Sequence, residues 1–372
     1  MDPSTNWYNV TSPGEIDTPA LLFYPERIQS NIDRIKEMLN DTEKIRPHIK
    51  TCKSKEPIKL LMNAGIQKFK CATIAEAEIL AICGAADVLL AYQLNETKLC
   101  RFIQLIKAYP STLFSCLVDN ESSAFLASKM AIKFSICIYV WIDLNVGMNR
   151  TGIEPGIESL ELYDKVSLLP SIKLSGLHAY DGHIHESDLE KRMLDTNKGF
   201  LAVEEMRNKL VSRGNPFPML IAGGTPTFSI HADRKSVQLS PGTFVMWDKG
   251  YDDLFSELDF SFAALVLTRV ISLPTEDTLC IDMGHKSIAS ENEINARVYF
   301  LNAPELYPLK HSEEHMVVYA GKAHKFKIGD MLYALPIHIC PTVALYEKAY
   351  CIQFGNLKET WDIAARDRMI NH

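Results

Sequence analysis

The sequence lacks several features that would assign the chain to common classes. No long apolar run occurs, which argues against a transmembrane helix, and Met1–Glu15 is polar and lacks the apolar core of a signal peptide. There is no CxxC pair, so a structural zinc site of the usual kind is not expected. Positive charge is not in excess either. The net charge of −7 argues against nucleic acid or an anionic membrane as a partner.

What is present fits a globular protein with a substantial core. The 372 residues suffice for two domains or for one large barrel with an addition, and 47% of them are hydrophobic. The nine cysteines are odd in number and show no disulfide-framework spacing. Reduced thiols in a cytoplasmic compartment are therefore expected.

Short apolar strands alternate with amphipathic helices over much of the chain. The eight predicted strands are Ile45–Lys50, Lys68–Thr73, Asp87–Tyr92, Leu113–Asp119, Ser135–Leu144, Ile172–Tyr180, Pro218–Gly224 and Ser236–Phe244. This rhythm predicts a (β/α)8 TIM barrel. A doubly wound open sheet is the alternative, but it requires a Gly-rich phosphate loop after the first strand, and no GxGxxG stands there.

The rhythm changes near Asp248, where strands follow one another with little helix between them. We therefore predict two domains, a barrel over residues 23–246 and a β-domain made of residues 1–22 plus 247–372. The opening segment Asp17–Tyr24 is extended and precedes the barrel, so it is expected to add a strand to the β-domain.

Lys50 stands at the predicted end of the first strand, in the stretch Arg46–Lys53. Burial at such a place lowers the pKa of an amine and makes it a nucleophile for a carbonyl. We therefore interpret Lys50 as a Schiff-base lysine. The alternative is a solvated lysine in a polar turn, as expected for Lys53 and Lys55.

Polar and glycine-rich loops follow the later strands, where a barrel carries its catalytic groups. Arg150 lies in a Gly-flanked loop, and strand six runs into the histidine-rich stretch His178–His185. Strands seven and eight end in Gly223–Thr227 and Ser240–Thr243. Glycine loops on adjacent strands can present N–H groups to a phosphate. A phosphate site together with a reactive lysine is what pyridoxal phosphate requires. Taken singly, these glycines can be plain turns and Arg150 a surface residue.

His338 and Cys340 form a second candidate site, two positions apart between Pro336 and Pro341. In an extended segment their side chains would point to the same face. An imidazole and a thiolate make half of a zinc site, with the other positions left for water or substrate. The bracketing prolines favour an irregular loop. The alternative is a buried cysteine beside a hydrogen-bonded histidine.

Five motifs, together with the opening DTPALL, resemble the D-threonine aldolase and D-serine dehydratase family. They are RPHIKTCK, DLNVGMNRTG, GLHAYDGH, AGGTPT and PIHICPT, in this order. That family belongs to the alanine-racemase-like, fold-type III class of pyridoxal phosphate enzymes. The resemblance covers nearly the whole chain and implies a barrel followed by a β-domain. It also implies two cofactors, pyridoxal 5′-phosphate and a divalent metal (zinc, manganese or magnesium).

By this resemblance, Lys50 matches the cofactor lysine and Arg150 matches the arginine near the cofactor's phenolic oxygen. Tyr180 falls in the motif that borders the cofactor. The remaining matches are Gly223, Gly224 and Thr225 for one phosphate loop, Gly242 and Thr243 for the other, and His338 and Cys340 for the metal pair. One position departs from the pattern. Ser240 stands where the alanine racemases carry an arginine that faces the pyridine nitrogen, and this weakens a racemase interpretation.

The implied activity is a lyase reaction on D-β-hydroxy amino acids, namely retro-aldol cleavage of D-threonine to glycine and acetaldehyde. His185, or else His183, would take the hydroxyl proton, and Lys50 would return a proton to Cα. The alternative is a D-serine dehydratase, in which β-elimination gives a 2-oxo acid and ammonia. The histidine-rich loop favours the aldolase. A non-catalytic cofactor-binding protein is a more distant alternative. The resemblance also implies a homodimer that takes a small D-amino acid.

Overall fold

The computed structural model describes residues 6–372 and divides into two units. One unit, called the β-domain below, comprises the segment that ends at Arg34, Thr51–Pro57 and Thr243–Arg366. The other, called the barrel, comprises Ile35–Lys50, Ile58–Gly242 and Asp367–His372. The domain limits given above stay a prediction.

Strands and helices follow one another along the described residues. The strands are β1 Ala20–Phe23, β2 Lys68–Cys71, β3 Asp87–Gln93, β4 Leu113–Val118, β5 Ile138–Leu144, β6 Ile172–Ala179, β7 Leu220–Ala222, β8 Val237–Leu239, β9 Ala264–Thr275, β10 Thr278–Ile281, β11 Val298–Phe300, β12 Tyr307–His311, β13 Met316–Tyr319, β14 Met331–Pro336, β15 Lys348–Gln353 and β16 Asn356–Asp362. The helices are α1 Pro25–Leu39, α2 Lys55–Asn63, α3 Ile74–Ile82, α4 Glu96–Ala108, α5 Glu121–Lys133, α6 Ile157–Ser167, α7 Leu189–Ser212, α8 Phe228–His231, α9 Lys249–Leu254 and α10 Ile339–Val343.

Seven parallel strands form the sheet of the barrel, in the order β2-β3-β4-β5-β6-β7-β8. Residues 45–49 join its two ends. On one side the Arg46 N–H donates to the Leu239 carbonyl at 2.8 Å, and on the other the Ile49 N–H donates to the Lys70 carbonyl at 3.0 Å. The sheet is therefore closed as a (β/α)8 barrel, which excludes the open doubly wound alternative.

The closing segment differs from the predicted first strand. It makes isolated bridges at Ile45 and His48 and then enters a turn, so a regular strand over Ile45–Lys50 is wrong. Pro47 has no N–H to give to a ladder, which accounts for the interruption. Predicted strand eight is likewise shortened to β8, because Pro241 follows it. The other six predicted strands are found with ends within three residues of those expected.

Arg46 holds the closing segment in place from the interior. Its side chain is fully buried, and its guanidinium donates to both carboxylate oxygens of Asp87, at 2.8 and 2.6 Å, and to Gln238 at 2.7 Å. These bonds connect the closing segment to β3 and β8. None of the helices described within residues 6–372 is both long and apolar enough to cross a bilayer.

The β-domain is built on a mixed sheet in the order β12-β13-β10-β9-β1-β15-β16, and β14 pairs with both β9 and β11. Strand β1 runs antiparallel to β9 and parallel to β15. The expected contribution of the opening segment to this sheet is therefore confirmed. The core of the β-domain includes Val266, Phe300 and Leu332.

Candidate active site

Lys50 lies in the turn that follows the closing segment. Its side chain is exposed, and its backbone N–H donates to Nδ1 of His48 at 3.2 Å. The expectation that burial activates this amine is therefore wrong, because the chain leaves the sheet before it reaches Lys50. The exposed amine is accessible to a carbonyl group, and its role as cofactor lysine stays a prediction.

Tyr180, directly after β6, brings two cations and a glycine together. The guanidinium carbon of Arg150 and Nζ of Lys70 each lie 5.2 Å from the centroid of its ring. Gly224 faces the same ring, since a Cβ added there would lie 3.1 Å from it. Three sequence-predicted residues, Arg150, Tyr180 and Gly224, thus meet at one end of the barrel.

The two predicted phosphate loops are joined by a hydrogen bond. The Gly242 N–H donates to Oγ1 of Thr225 at 3.2 Å. Gly223 has a φ of +75°, a conformation that favours glycine, and a Cβ at Gly242 would come within 2.7 Å of the His48 carbonyl oxygen. Both loops therefore need glycine, and glycine loops are suited to presenting N–H groups to an anion. Thr243, predicted for the second loop, opens a short 3-10 turn in the β-domain.

A buried network that the sequence analysis missed supports the first glycine loop. Asp181 accepts from Thr227 Oγ1 at 2.9 Å and pairs with His231 Nε2 at 2.8 Å. The Thr227 hydroxyl accepts in turn from the Gly224 N–H at 3.2 Å. Burial alone would raise the pKa of Asp181, but the bonds from His231 and Thr227 bring it below its usual value. The loop conformation is thus fixed by a charged side chain from the neighbouring strand end.

The two histidines predicted as bases differ in their surroundings. His183 packs on Gly147, where a Cβ would come within 2.7 Å of its Nε2, and its Nδ1 is buried and has no hydrogen-bond partner among residues 6–372. His185 is exposed, and its Nδ1 lies 2.7 Å from the His183 carbonyl oxygen. A carbonyl only accepts, so Nδ1 of His185 carries the proton and Nε2 is its basic nitrogen. His185 is therefore better placed to exchange a proton with a ligand.

Three further titratable side chains point into the barrel, namely Lys70 on β2, Asp143 on β5 and His178 on β6. Each is at most 4% exposed. Nδ1 of His178 lies 2.6 Å from an oxygen of Asp143. His178 thus lies in β6, within the predicted strand Ile172–Tyr180. The available signal was a charged residue within an apolar strand, which is rare without a partner or a function.

In the β-domain, His338 and Cys340 lie side by side. Cys340 belongs to α10 and His338 is the residue before that helix, so the expectation of an irregular loop is wrong. Oε1 of Glu291 lies 2.5 Å from Nδ1 of His338. Burial acts to lower the pKa of His338, but hydrogen bonds to Cys340 and Glu291 and the charge of Asp248 raise it to about 9.

The thiol of Cys340 has two hydroxyl neighbours, Thr51 Oγ1 at 3.1 Å and Thr243 Oγ1 at 3.7 Å. Across residues 6–372, the structure holds no group of three or more His, Cys, Asp or Glu side chains placed to bind a metal. The pair therefore offers two donors, and imidazole nitrogen with thiolate sulfur suits a borderline-soft divalent ion such as zinc.

Comparison with known proteins gives two family matches. The "Alanine racemase, N-terminal domain" model matches residues 25–248, and the "Putative serine dehydratase domain" model matches residues 263–352. D-threonine aldolase from Arthrobacter sp is 24% identical in an alignment 358 residues long, which covers 94% of this chain and 93% of the relative. D-threo-3-hydroxyaspartate dehydratase from Delftia sp. (strain HT23) is 23% identical in an alignment 382 residues long, gaps included, which covers 93% of this chain and 97% of the relative.

Solved structures share the fold. That of D-threonine aldolase from Filomicrobium marinum matches with a TM-score of 0.87 at 22% identity, over 97% of this chain and 98% of the other. A cysteine-to-alanine variant of D-threo-3-hydroxyaspartate dehydratase in a metal-free form matches with a TM-score of 0.80 at 22% identity, over 93% and 97%. Both therefore share the fold of this chain along nearly its whole length.

Proposed function

The chain belongs to the alanine racemase N-terminal domain family, and from this we propose that it is a lyase of D-β-hydroxy amino acids that depends on pyridoxal phosphate and a divalent metal. Its reaction is retro-aldol cleavage, with D-threonine giving glycine and acetaldehyde. Relatives named D-threonine aldolase and D-threo-3-hydroxyaspartate dehydratase, which align over more than 90% of this chain, support the lyase class.

One observation carries the proposal. The thiol of the His338–Cys340 pair lies 3.1 Å from the hydroxyl of Thr51, and Thr51 is the residue that follows Lys50 in the chain. A lyase of this kind needs a lysine for the cofactor and a Lewis acid for the substrate hydroxyl. Thr51 thus follows the proposed cofactor lysine in the chain and contacts the thiol of the proposed metal pair.

The barrel residues fit the cofactor. The glycines at 223, 224 and 242 are required by close neighbours, and the two loops that contain them would hold the phosphate. Lys50 would hold the cofactor's aldehyde carbon, and Arg150 its phenolic oxygen. When bound, the cofactor accepts the electron pair that bond cleavage leaves on Cα. The exposed Lys50 amine is free to return a proton to that carbon.

His338 and Cys340 would hold the metal, which lowers the pKa of a bound hydroxyl. Glu291 orients His338 by accepting from its Nδ1, so that Nε2 is the nitrogen left to bind. His185 takes the hydroxyl proton on Nε2, because its Nδ1 is already committed to the His183 carbonyl.

A dehydratase is the second candidate, and the His–Cys pair favours it. The metal-free cysteine variant among the similar structures is a dehydratase. In that reaction Lys50 would remove the Cα proton, and the β-hydroxyl would leave as hydroxide, which the proton held by Lys50 converts to water. The same residues serve both reactions. In aldol cleavage the β-hydroxyl loses its proton, whereas in β-elimination the hydroxyl group leaves the substrate.

The family resemblance also supports a homodimer in the cytoplasm that binds a small D-amino acid. Light scattering of the purified protein tests the oligomeric state. A mass near twice 41.9 kDa is expected, whereas a mass of one chain would contradict it.

Product analysis tests the proposed reaction. The protein is incubated with D-threonine, pyridoxal phosphate and a divalent metal, with L-threonine as the matched control. Glycine and acetaldehyde from the D-isomer alone are expected. The products 2-oxobutanoate and ammonia would replace the aldolase by the dehydratase, and no product from either isomer would refute the substrate class.

A further inference from the structure

Lys70 is a buried amine without a counter-ion. It is 4% exposed, and within residues 6–372 its amine makes no ion pair and no hydrogen bond. The amine lies 5.2 Å from the centroid of the Tyr180 ring. Burial lowers its pKa to about 7. The charged groups around Lys70 shift its pKa in both directions. Asp143 and Asp181 favour the ammonium, whereas Lys50 and Arg150 oppose it.

His178 presents an unpartnered nitrogen in the same interior. Its Nδ1 is bound to Asp143, and its Nε2 is buried with no hydrogen-bond partner among the described residues. Asp143 also accepts a hydrogen bond from Gln93 at 2.8 Å and one from Thr151. Burial and the Lys70 charge lower the pKa of His178. Because a buried polar atom without a partner is costly, Nε2 of His178 is available to accept or donate a hydrogen bond to a ligand.

We propose that the Lys70 amine and His178 Nε2 form an oxyanion-binding site inside the barrel. It takes one carboxylate or phenolate oxygen, which comes from the substrate's carboxylate or from the cofactor's phenolic group. This inference rests on the proposed function for those two sources. None of the assigned roles above uses either residue.

The charges of the site favour an anion over a neutral ligand. A bound oxyanion gives the ammonium form of Lys70 the counter-ion that it lacks. It also favours a second proton on His178, whose imidazolium Asp143 already supports from Nδ1. Binding therefore takes up protons from solvent, and affinity falls as pH rises through the range in which Lys70 loses its charge.

Calorimetric titrations between pH 6 and 9 test the proposal. Pyridoxine 5′-phosphate, which has the phenol but no aldehyde to react with Lys50, is titrated into cofactor-free protein. Succinate, an unreactive dicarboxylate, is titrated into the cofactor-loaded protein. For one of the two, we expect affinity to fall about ten-fold per pH unit above pH 7, with proton uptake measured in buffers of different ionisation heat. The responding ligand identifies the source of the oxyanion.

Variants separate this site from the rest of the barrel. Lys70→Met should flatten the pH dependence and weaken binding at pH 6 by roughly 10- to 100-fold, whereas Lys68→Met, on the same strand but paired with Glu43, should leave both unchanged. Lys70→Arg keeps the charge and should retain affinity without the pH dependence. This variant tests the proposal even if Lys70→Met does not fold. Affinity independent of pH for both ligands in the wild type, or an unchanged slope in the Lys70 variants, would overturn the proposal. Products formed from D-threonine in that case would leave the proposed function standing.

Discussion

The barrel and the β-domain assemble their candidate functional residues in different ways. In the barrel, Arg150, Tyr180 and the glycine loops follow the neighbouring parallel strands β5 to β8, whose ends meet at one edge of the sheet. In the β-domain, His338 and Cys340 come from one turn of chain at the start of α10. Strand order therefore predicts the first set, whereas the second depends on a local helix that a short motif does not reveal.

We therefore expect cofactor binding by the barrel residues and metal binding by the β-domain pair to be lost independently of each other. The barrel should hold the cofactor without the metal pair, and the β-domain pair should hold the metal without the cofactor lysine. Variants in each unit, followed by measurements on both ligands, examine this separation.

Lys50→Ala should have the largest effect. Loss of the amine removes the covalent link to the cofactor, so the visible absorbance of lysine-bound cofactor should vanish and kcat should fall at least about 10³-fold. Metal content should stay unchanged. Lys59→Ala, an exposed lysine on α2, is the matched control. An absorbance band retained in Lys50→Ala would refute the assignment.

The double variant His338→Ala with Cys340→Ser should keep the cofactor absorbance but lose metal-dependent activity. Without the metal's charge, kcat should fall by about 10³-fold, since such stabilisation amounts to several kcal/mol. His315→Ala with Cys137→Ser, both exposed, should resemble the wild type. If the double variant still loses activity on chelation, the metal lies elsewhere.

His185→Asn should slow cleavage by roughly 10²–10⁴-fold, as expected for a general base, while cofactor and metal contents remain normal. His183→Asn serves as the comparison, because its ring packs on Gly147. Pre-steady-state release of acetaldehyde measures the step directly. A His185→Asn rate within about threefold of wild type would remove His185 from the mechanism.

Glu291→Gln should have the smallest effect of the series. The amide no longer fixes the proton on Nδ1 of His338, so metal affinity should weaken by about 10- to 100-fold. Competition with a chromophoric chelator gives the affinity. Glu293→Gln, exposed on the same loop, should change it by less than about twofold. Equal affinities for Glu291→Gln and wild type would mean that Glu291 does not orient the ligand.

Much of the barrel was predictable because its strands are apolar on both faces and its helices are regular. Lys50 was expected at the buried end of a strand, but it lies exposed in a turn. Pro47 interrupts hydrogen bonding before the strand end, so the lysine that burial affects is Lys70. Which strand residues point inward and face one another depends on barrel closure, and the spacing of single residues does not show it.

The metal pair shows a different limit of structure prediction from sequence. Pro336 and Pro341 favoured a loop, yet Pro341 lies in the first turn of α10, where no intrahelical N–H bond is lost. The role of Glu291, 47 residues before His338, had no signal in the sequence. Partners that orient a ligand come from distant segments, so only the folded chain identifies them.

We expect the exposed Lys50, and not the buried Lys70, to bind the cofactor covalently. Borohydride reduction of the cofactor-loaded protein, followed by peptide mass spectrometry, distinguishes the two lysines. A reduced cofactor adduct is expected on the peptide that contains Lys50, and none on the peptide that contains Lys70. An adduct on Lys70, or an unmodified Lys50 in protein that shows the absorbance band, would refute the role of Lys50.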